Sequence, residues 1–253
     1  MSDFEEAIKR FRNINSGKVM EEPKYECAIC HDTGIISYKG EDGYDYGRQC
    51  ECVAIKRAKQ MIRQSGISDS FQKLGFNDFE TMNKPELVRA KTVAINYFKG
   101  FEAAERTRQN SILLSGQVGA GKTHLGVAIS NNLLEQRVAV IYMPYRNVVT
   151  ALKQSILDDE AYSREMNKYL DARVLFIDDM LKGNLTKSDV NIMYEIVNYR
   201  YLNNMPMIIS TEKKPEELME FDEAIGSRIL EMCRGNIIVF RDKALNYRLR
   251  GIL

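Results

Sequence analysis

From about residue 71 onward, short apolar runs alternate with longer amphipathic ones. Five runs read as buried strands: Ser111–Ser115, Val138–Met143, Val174–Asp178, Met207–Thr211 and Ile237–Phe240. Between them the spacing predicts helices near 122–136, 146–157, 188–203 and 222–232. A further helix near Glu86–Phe101 follows the aromatics Phe71, Phe76 and Phe79. Strands that are apolar along their whole length, separated by helical stretches, mean βαβ units and a five-stranded parallel sheet covered on both faces.

Upstream the pattern differs. Ser2 and Glu5 form a capping-box pattern, and Phe4, Ile8 and Phe11 follow at helical spacing. That short amphipathic helix docks on the body of the same protein or turns its apolar face to a partner. Residues 24–52 are a Cys- and Gly-bearing loop region, and a helix from Val53 to Gln64 stops near Gly66. Its Lys56, Arg57, Lys59 and Arg63 make a solvated face or a patch for DNA or a partner. The change of pattern sets the expected domains at 1–70 and 71–253.

Composition narrows this picture. Hydrophobic residues make up 44% of the chain and charged ones 28%, as in a globular domain, and the net charge of +1 excludes a broadly basic nucleic-acid coat. No apolar run approaches the roughly 18–20 residues a membrane span needs, and the acidic start MSDFEEAIKR is unlike a signal peptide. A cytoplasmic protein with no membrane partner is the expectation. Five cysteines in that setting serve metal or packing rather than disulfides.

The most specific motif is Gly116-Gln117-Val118-Gly119-Ala120-Gly121-Lys122-Thr123, preceded by the apolar run ILLS and followed by a helix. Glycines let backbone N–H groups converge on phosphates, and the helix N-terminus adds positive potential. These eight residues, with His124 after them, are the candidate contacts for ATP or ADP. Lys122 is expected on the β- and γ-phosphates and the Thr123 hydroxyl on Mg²⁺. The strand Val174-Leu-Phe-Ile-Asp178-Asp179 supplies the other half. Two carboxylates ending a buried strand are costly unless a cation or water meets them. Asp178 is expected to hold magnesium through water and Asp179 to polarise the attacking water. Many ATPases of this architecture carry Glu in the latter place, so the shorter Asp predicts slow hydrolysis. Ser210 or Thr211, at the end of a later strand, senses the γ-phosphate or merely caps the strand.

Cys27-x-x-Cys30 and Cys50-x-Cys52 supply four thiolates, the ligand count of a closed structural zinc site. Pro23, Gly34, Gly40, Gly43 and Gly47 mark turns that let two knuckles approach. Zinc would give folding energy to a segment with little core of its own. His31 is a spare ligand, and free thiols or a redox or iron–sulfur role are the alternatives. Cys233, within RILEMC, reads as packing.

Taken together, GQVGAGKT, VLFIDD, IIST and Ala224-Ile-Gly226-Ser227-Arg228 resemble the AAA+ ATPases, and among them the DnaC/DnaI-type helicase loaders and the related IstB transposition ATPases. The resemblance covers most of residues 71–253. CAICHDTG with a later CEC, FNDF, IGSR and the terminal NYRLR favour the loader branch, which also implies zinc at the cysteines. It implies an α/β P-loop core and an arginine finger at Arg228 that acts on a neighbouring subunit's nucleotide. Arg248 matches a second sensor arginine, with Arg250 its competitor. Two departures stand out. Only thirteen residues follow Phe240, too few for a full C-terminal helical lid, and Glu212 stands where many relatives have Asn. In loaders, the segment after the second strand faces single-stranded DNA. Here Tyr145 would stack on a base and Arg146 and Lys153 would meet phosphates, or Tyr145 covers the sheet. The implied activity is slow ATP hydrolysis that switches an oligomeric loader of the DnaB-type hexameric helicase onto single-stranded DNA, with residues 1–70 as the helicase contact. An IstB-like transposition helper and a nucleotide-binding adaptor with negligible hydrolysis are the alternatives.

Overall fold

A computed structural model describes residues 25–64, 73–242 and 245–249. The expected N-terminal helix, Pro23, Gly66, Phe71, Arg250 and the side chain of Arg63 lie outside them. The chain divides into two compact units, 1–50 and 51–253.

The small unit contains one antiparallel hairpin, β1 (Ile35–Lys39) and β2 (Asp45–Gln49), paired from Ile35↔Gln49 to Lys39↔Asp45. The sequence reading leaves this stretch as loop. The turn chemistry explains the hairpin: Gly40 donates its N–H to Tyr44, Gly43 donates to Gly40, and Gly43 sits at φ +81°. Nearly every residue of both strands is exposed, so no alternation against a core advertises them.

In the larger unit, α1 (Glu51–Gln64) buries Ala58 completely and packs against β4, although its sequence pattern groups it with the cysteine segment. Then come α2 (Pro85–Ala104), β3 (Ile112–Gly116), α3 (Lys122–Glu135), β4 (Val140–Pro144), α4 (Tyr145–Gln154), α5 (Asp159–Leu170) and β5 (Val174–Met180). α6 (Lys187–Leu202), β6 (Met207–Thr211), α7 (Pro215–Phe221), α8 (Glu223–Met232) and β7 (Ile237–Phe240) complete it. The five strands form one parallel sheet in the order β4-β5-β6-β3-β7. β3 and β6 are buried at every position, as strands covered by helices on both faces must be. After β7 the described residues include a 3₁₀ turn at Tyr247–Leu249.

Three helices depart from expectation. The helix predicted over 146–157 ends at Gln154, and Ile156 and Leu157 are left exposed, the latter at 97%. Asp158 accepts from the Ala161 N–H and restarts the chain as α5. α5 is not among the predicted helices because it is mostly polar and buries only Met166, Tyr169 and Leu170. The short α7, opened by Pro215 in its first turn, is likewise absent from the prediction.

Among the described residues the core also holds one fully buried cation. Arg200 donates to the carbonyls of Tyr169, Leu170, Ala172 and Pro206 at 2.6–3.1 Å, tying the end of α5 to the entry of β6.

Candidate nucleotide site

The phosphate loop turns on three left-handed glycines, Gly116 (φ +104°), Gly119 (+73°) and Gly121 (+90°). A side chain would be strained at each and would also collide. A Cβ on Gly116 would lie 2.2 Å from the Phe240 carbonyl oxygen, and one on Gly121 2.6 Å from Phe79 Cε2. Gly121 is the N-cap of α3, so the loop delivers Lys122 and Thr123 into the first turn of a helix whose N–H groups face the cavity end. Lys122 is buried, and its Nζ folds back onto the carbonyls of Gly116 and Gln117 at 2.7 and 2.8 Å. Burial pulls the Lys122 ammonium below its ordinary pKa, against the charges of Glu212, Asp179 and Asp178.

Asp178 joins the loop to the sheet. Its Oδ1 accepts from Thr123 Oγ1 at 2.9 Å and from the Ser210 hydroxyl, and its Oδ2 accepts from the Tyr142 hydroxyl at 2.9 Å. Burial raises its carboxyl above the usual range, and these donors oppose the rise. One acid thus collects hydroxyls from α3, β4 and β6. Asp179 follows in a left-handed conformation (φ +54°), where the β5–β6 register shifts, and donates its N–H to Ser210 Oγ at 2.8 Å. Its carboxylate pairs with Lys182 at 2.8 Å, and Lys182 also reaches Glu212 at 3.1 Å.

A cavity of about 360 Å³ is lined by Val118–His124 together with Asp179, Lys182, Glu212 and Arg248. Its apolar end is built by Leu74, Phe79, Met82, Leu87, Leu245 and Tyr247. This wall is clipped on by polar contacts: Asn131 donates to Leu74 O, Lys91 donates to Phe79 O, and His124 Nε2 lies 3.1 Å from Gly75 O. The Phe79 ring meets His124 edge-on, and Tyr247 donates its N–H to Gly119 O. Such a cleft, apolar at one end and cationic at the other, fits a nucleoside phosphate. Neither this wall nor Tyr142 is announced by a local pattern, because the residues come from distant segments; FNDF enters the sequence reading only through the family resemblance.

Other expected site residues stand elsewhere. Thr211 is buried and spends its hydroxyl on the Met180 carbonyl, while Glu212 faces the cavity. Arg228 lies apart from its own chain's cavity. It donates to Ala224 O at 2.8 Å, and its guanidinium lies 5.6 and 5.4 Å from the rings of Tyr194 and Tyr201. Tyr145 is buried at 2% exposure, so it covers the sheet and offers no ring for base stacking. Lys153 pairs with Asp189 and Thr186 at the start of α6, whereas Arg146 is exposed.

The four cysteines converge. Sγ atoms of Cys27, Cys30, Cys50 and Cys52 all lie within 4.8 Å of one another, and all four residues are buried. Cys27 and Cys50 are 3.8 Å apart, far beyond a disulfide and equal to the edge, about 3.8 Å, of a tetrahedron with ~2.3 Å metal–sulfur bonds. Backbone N–H groups of Cys30 and Ile29 draw the Cys27 thiol down to about 6, toward the thiolate a metal requires. The arrangement fits a small zinc-binding domain. Cys233 is separate and buried in the core.

Comparisons place this geometry among known proteins. Residues 72–233 match the bacterial DnaA ATPase domain family. The chain is 37% identical to the phage-like element PBSX protein XkdC of Bacillus subtilis, over 90% of this chain and 88% of that one. The crystal structure of the DnaC helicase loader shares the fold at 19% identity and a TM-score of 0.54, covering 69% of this chain and 100% of that one. The replication initiator DnaA bound to AMPPCP and single-stranded DNA does so at 21% and 0.55, covering 67% and 50%. The chain belongs to the bacterial DnaA ATPase-domain family of AAA+ proteins and has the fold of the DnaC/DnaI-type loaders.

Proposed function

We propose that this protein is an ATP-dependent helicase loader, a nucleotide switch that holds a DnaB-type ring helicase and single-stranded DNA in the cytoplasm. The observation that carries the reading is the wiring of Asp178 to Thr123 beneath a buried, loop-bound Lys122. In this reading the triphosphate draws Lys122 Nζ from the loop carbonyls to its phosphate oxygens. Thr123 and Asp178 would hold magnesium, which when bound neutralises phosphate charge. Asp179 orients the attacking water and takes its proton as the γ-phosphoryl group leaves ADP. Asp179 is paired to Lys182 and must be freed before it can act on water, so turnover is slow. Loading fits the DnaC likeness, and DNA binding fits the DnaA structure that holds single-stranded DNA. Exposed Arg146 and the Ile156–Leu157 loop are the surfaces offered to the strand. Arg228 would act on a neighbour's nucleotide in an oligomer, Arg248 would report on the bound phosphates, and zinc would sit on the four cysteines.

The same Asp179–Lys182 pair favours a second reading, an adaptor that binds ATP without appreciable hydrolysis. Two measurements test both. Lys122→Ala should weaken Mg·ATP binding at least about tenfold with an unchanged fold, and wild-type affinity in that variant would sink the site assignment. Recovery of a ring helicase from host extract with ATP but not ADP supports loading, and recovery of a transposase defeats it. Turnover too slow to measure, with or without single-stranded DNA, leaves the adaptor.

A further inference from the structure

From the last residues of β5 into the loop before α6 the backbone enters the left-handed region three times in five residues: Asp179 (φ +54°), Leu181 (+60°) and Gly183 (+95°). A leucine adopts that conformation only under constraint, and Leu181 is held there by burial at 2% exposure. Gly183 leaves room for Arg146, whose Nη1 would lie 2.5 Å from a Cβ at that position. The doubled turn points Lys182 back over the C-terminal end of the sheet, into the cavity that Lys122 and Thr123 line. Its side chain is 44% exposed, with Nζ 2.8 Å from Asp179 and 3.1 Å from Glu212. Lys122 feels the charges of Asp179, Glu212 and Lys182 together, so all four groups share one wall.

That wall poses a problem for a triphosphate. Asp179 and Glu212 are both anions, and a carboxylate at the end of β6 repels a phosphate where a neutral amide would donate to it. Lys182 is the cation within reach of both, on a stem flexible enough to change acceptors. We propose that Lys182 is a γ-phosphate contact: its ammonium moves from Asp179 and Glu212 to the terminal phosphate, so the site prefers ATP to ADP. The same move uncovers the Asp179 carboxylate for water only when a γ-phosphate is present. Paired with Lys182, the water-activating acid is capped, and the incoming γ-phosphate uncaps it. This inference rests on the nucleotide reading above.

The test is direct titration of the full-length chain with Mg·ATP, a non-hydrolysable ATP analogue and Mg·ADP, for the wild type, Lys182→Met, Lys182→Arg and Glu212→Gln. Lys182→Met should bind ATP and the analogue about tenfold more weakly while ADP affinity stays the same, and Lys182→Arg should restore most of the difference. Glu212→Gln removes one negative charge from beside Lys182 and should raise analogue affinity severalfold without changing that for ADP. An unchanged ATP-to-ADP ratio in both Lys182→Met and Glu212→Gln overturns the proposal while leaving the nucleotide site intact. Failure of the wild type to bind either nucleotide overturns the nucleotide reading, and this inference with it.

Discussion

The two compact units are held by different means. In the larger one, strands such as Ile112–Gly116 and Met207–Thr211 are buried at every position, and one apolar cluster runs from Phe101 through Phe176 to Phe240. In the smaller one, both strands are exposed and Tyr25, Ile29, Ile35, Tyr38, Tyr44 and Tyr46 stand in solvent. Its buried Cys27, Cys30 and Cys50 take the place of a core. Two strands alone are marginal in water. The larger unit therefore carries its stability in apolar surface removed from water, whereas the smaller depends on what its clustered cysteines can hold.

Removing whatever metal the four cysteines hold is the strongest way to break this comparison. Structural zinc contributes on the order of 10 kcal/mol to small domains, more than a lone hairpin can supply. Chelation, or Cys27→Ser, should abolish amide protection in 35–49, while amides of Ile112–Gly116 exchange as before. Hydrogen exchange with mass spectrometry, alongside metal analysis, reads both. Protection of 35–49 that survives complete metal loss would show that the hairpin stands without its cysteines.

The larger unit has its own polar knot, which sharpens the contrast. Arg200 gathers four carbonyls around one guanidinium much as a metal gathers ligands, but its surroundings are apolar and its removal orphans those carbonyls. Its Nη1 and Nη2 make all four bonds while Nε stays buried without a partner, and a buried acceptor left unsatisfied costs about 1–3 kcal/mol. Arg200→Met should lower the stability of the ATPase unit by that order in denaturant unfolding and leave bound zinc unchanged. A loss below about 1 kcal/mol would mean that water or backbone adjustment satisfies the carbonyls.

The same division governs what could be read from sequence. Buried parallel strands leave continuous apolar runs, so the sheet and the loop-to-helix turn at Gly121 were legible, as was the cysteine spacing. The hairpin was not, because solvent lies on both sides of it and no alternation results. α5 escaped because three buried residues in twelve make a weak pattern, though Asp158 signalled its start. Tyr145 shows the limit of reading roles from residue type: sequence left base stacking and covering the sheet both open, and burial selects the second. The Asp179–Lys182–Glu212 cluster depends on a doubled left-handed turn that local sequence does not announce.

The smallest effect concerns charge at the rim of the large unit. Arg173 meets Glu105 through two parallel bonds, Nε to Oε1 at 2.7 Å and Nη2 to Oε2 at 3.0 Å, joining the residue after α2 to the start of β5. The Arg173 hydrogen bonds hold the Glu105 carboxyl below its ordinary pKa. A depressed carboxyl pKa stabilises the fold fully above the unfolded value, near 4.3, and that contribution fades as pH falls through the lower folded value. Arg173 is 43% exposed, and solvent screening limits the pair to roughly 0.5–1 kcal/mol even with two-point geometry. Glu105→Gln should therefore cost about that much at pH 7, and the gap to wild type should close as the solution is acidified below the folded pKa. Urea unfolding at a series of pH values measures it. A difference that persists unchanged in acid would assign the loss to packing and remove charge pairing from the account of this unit.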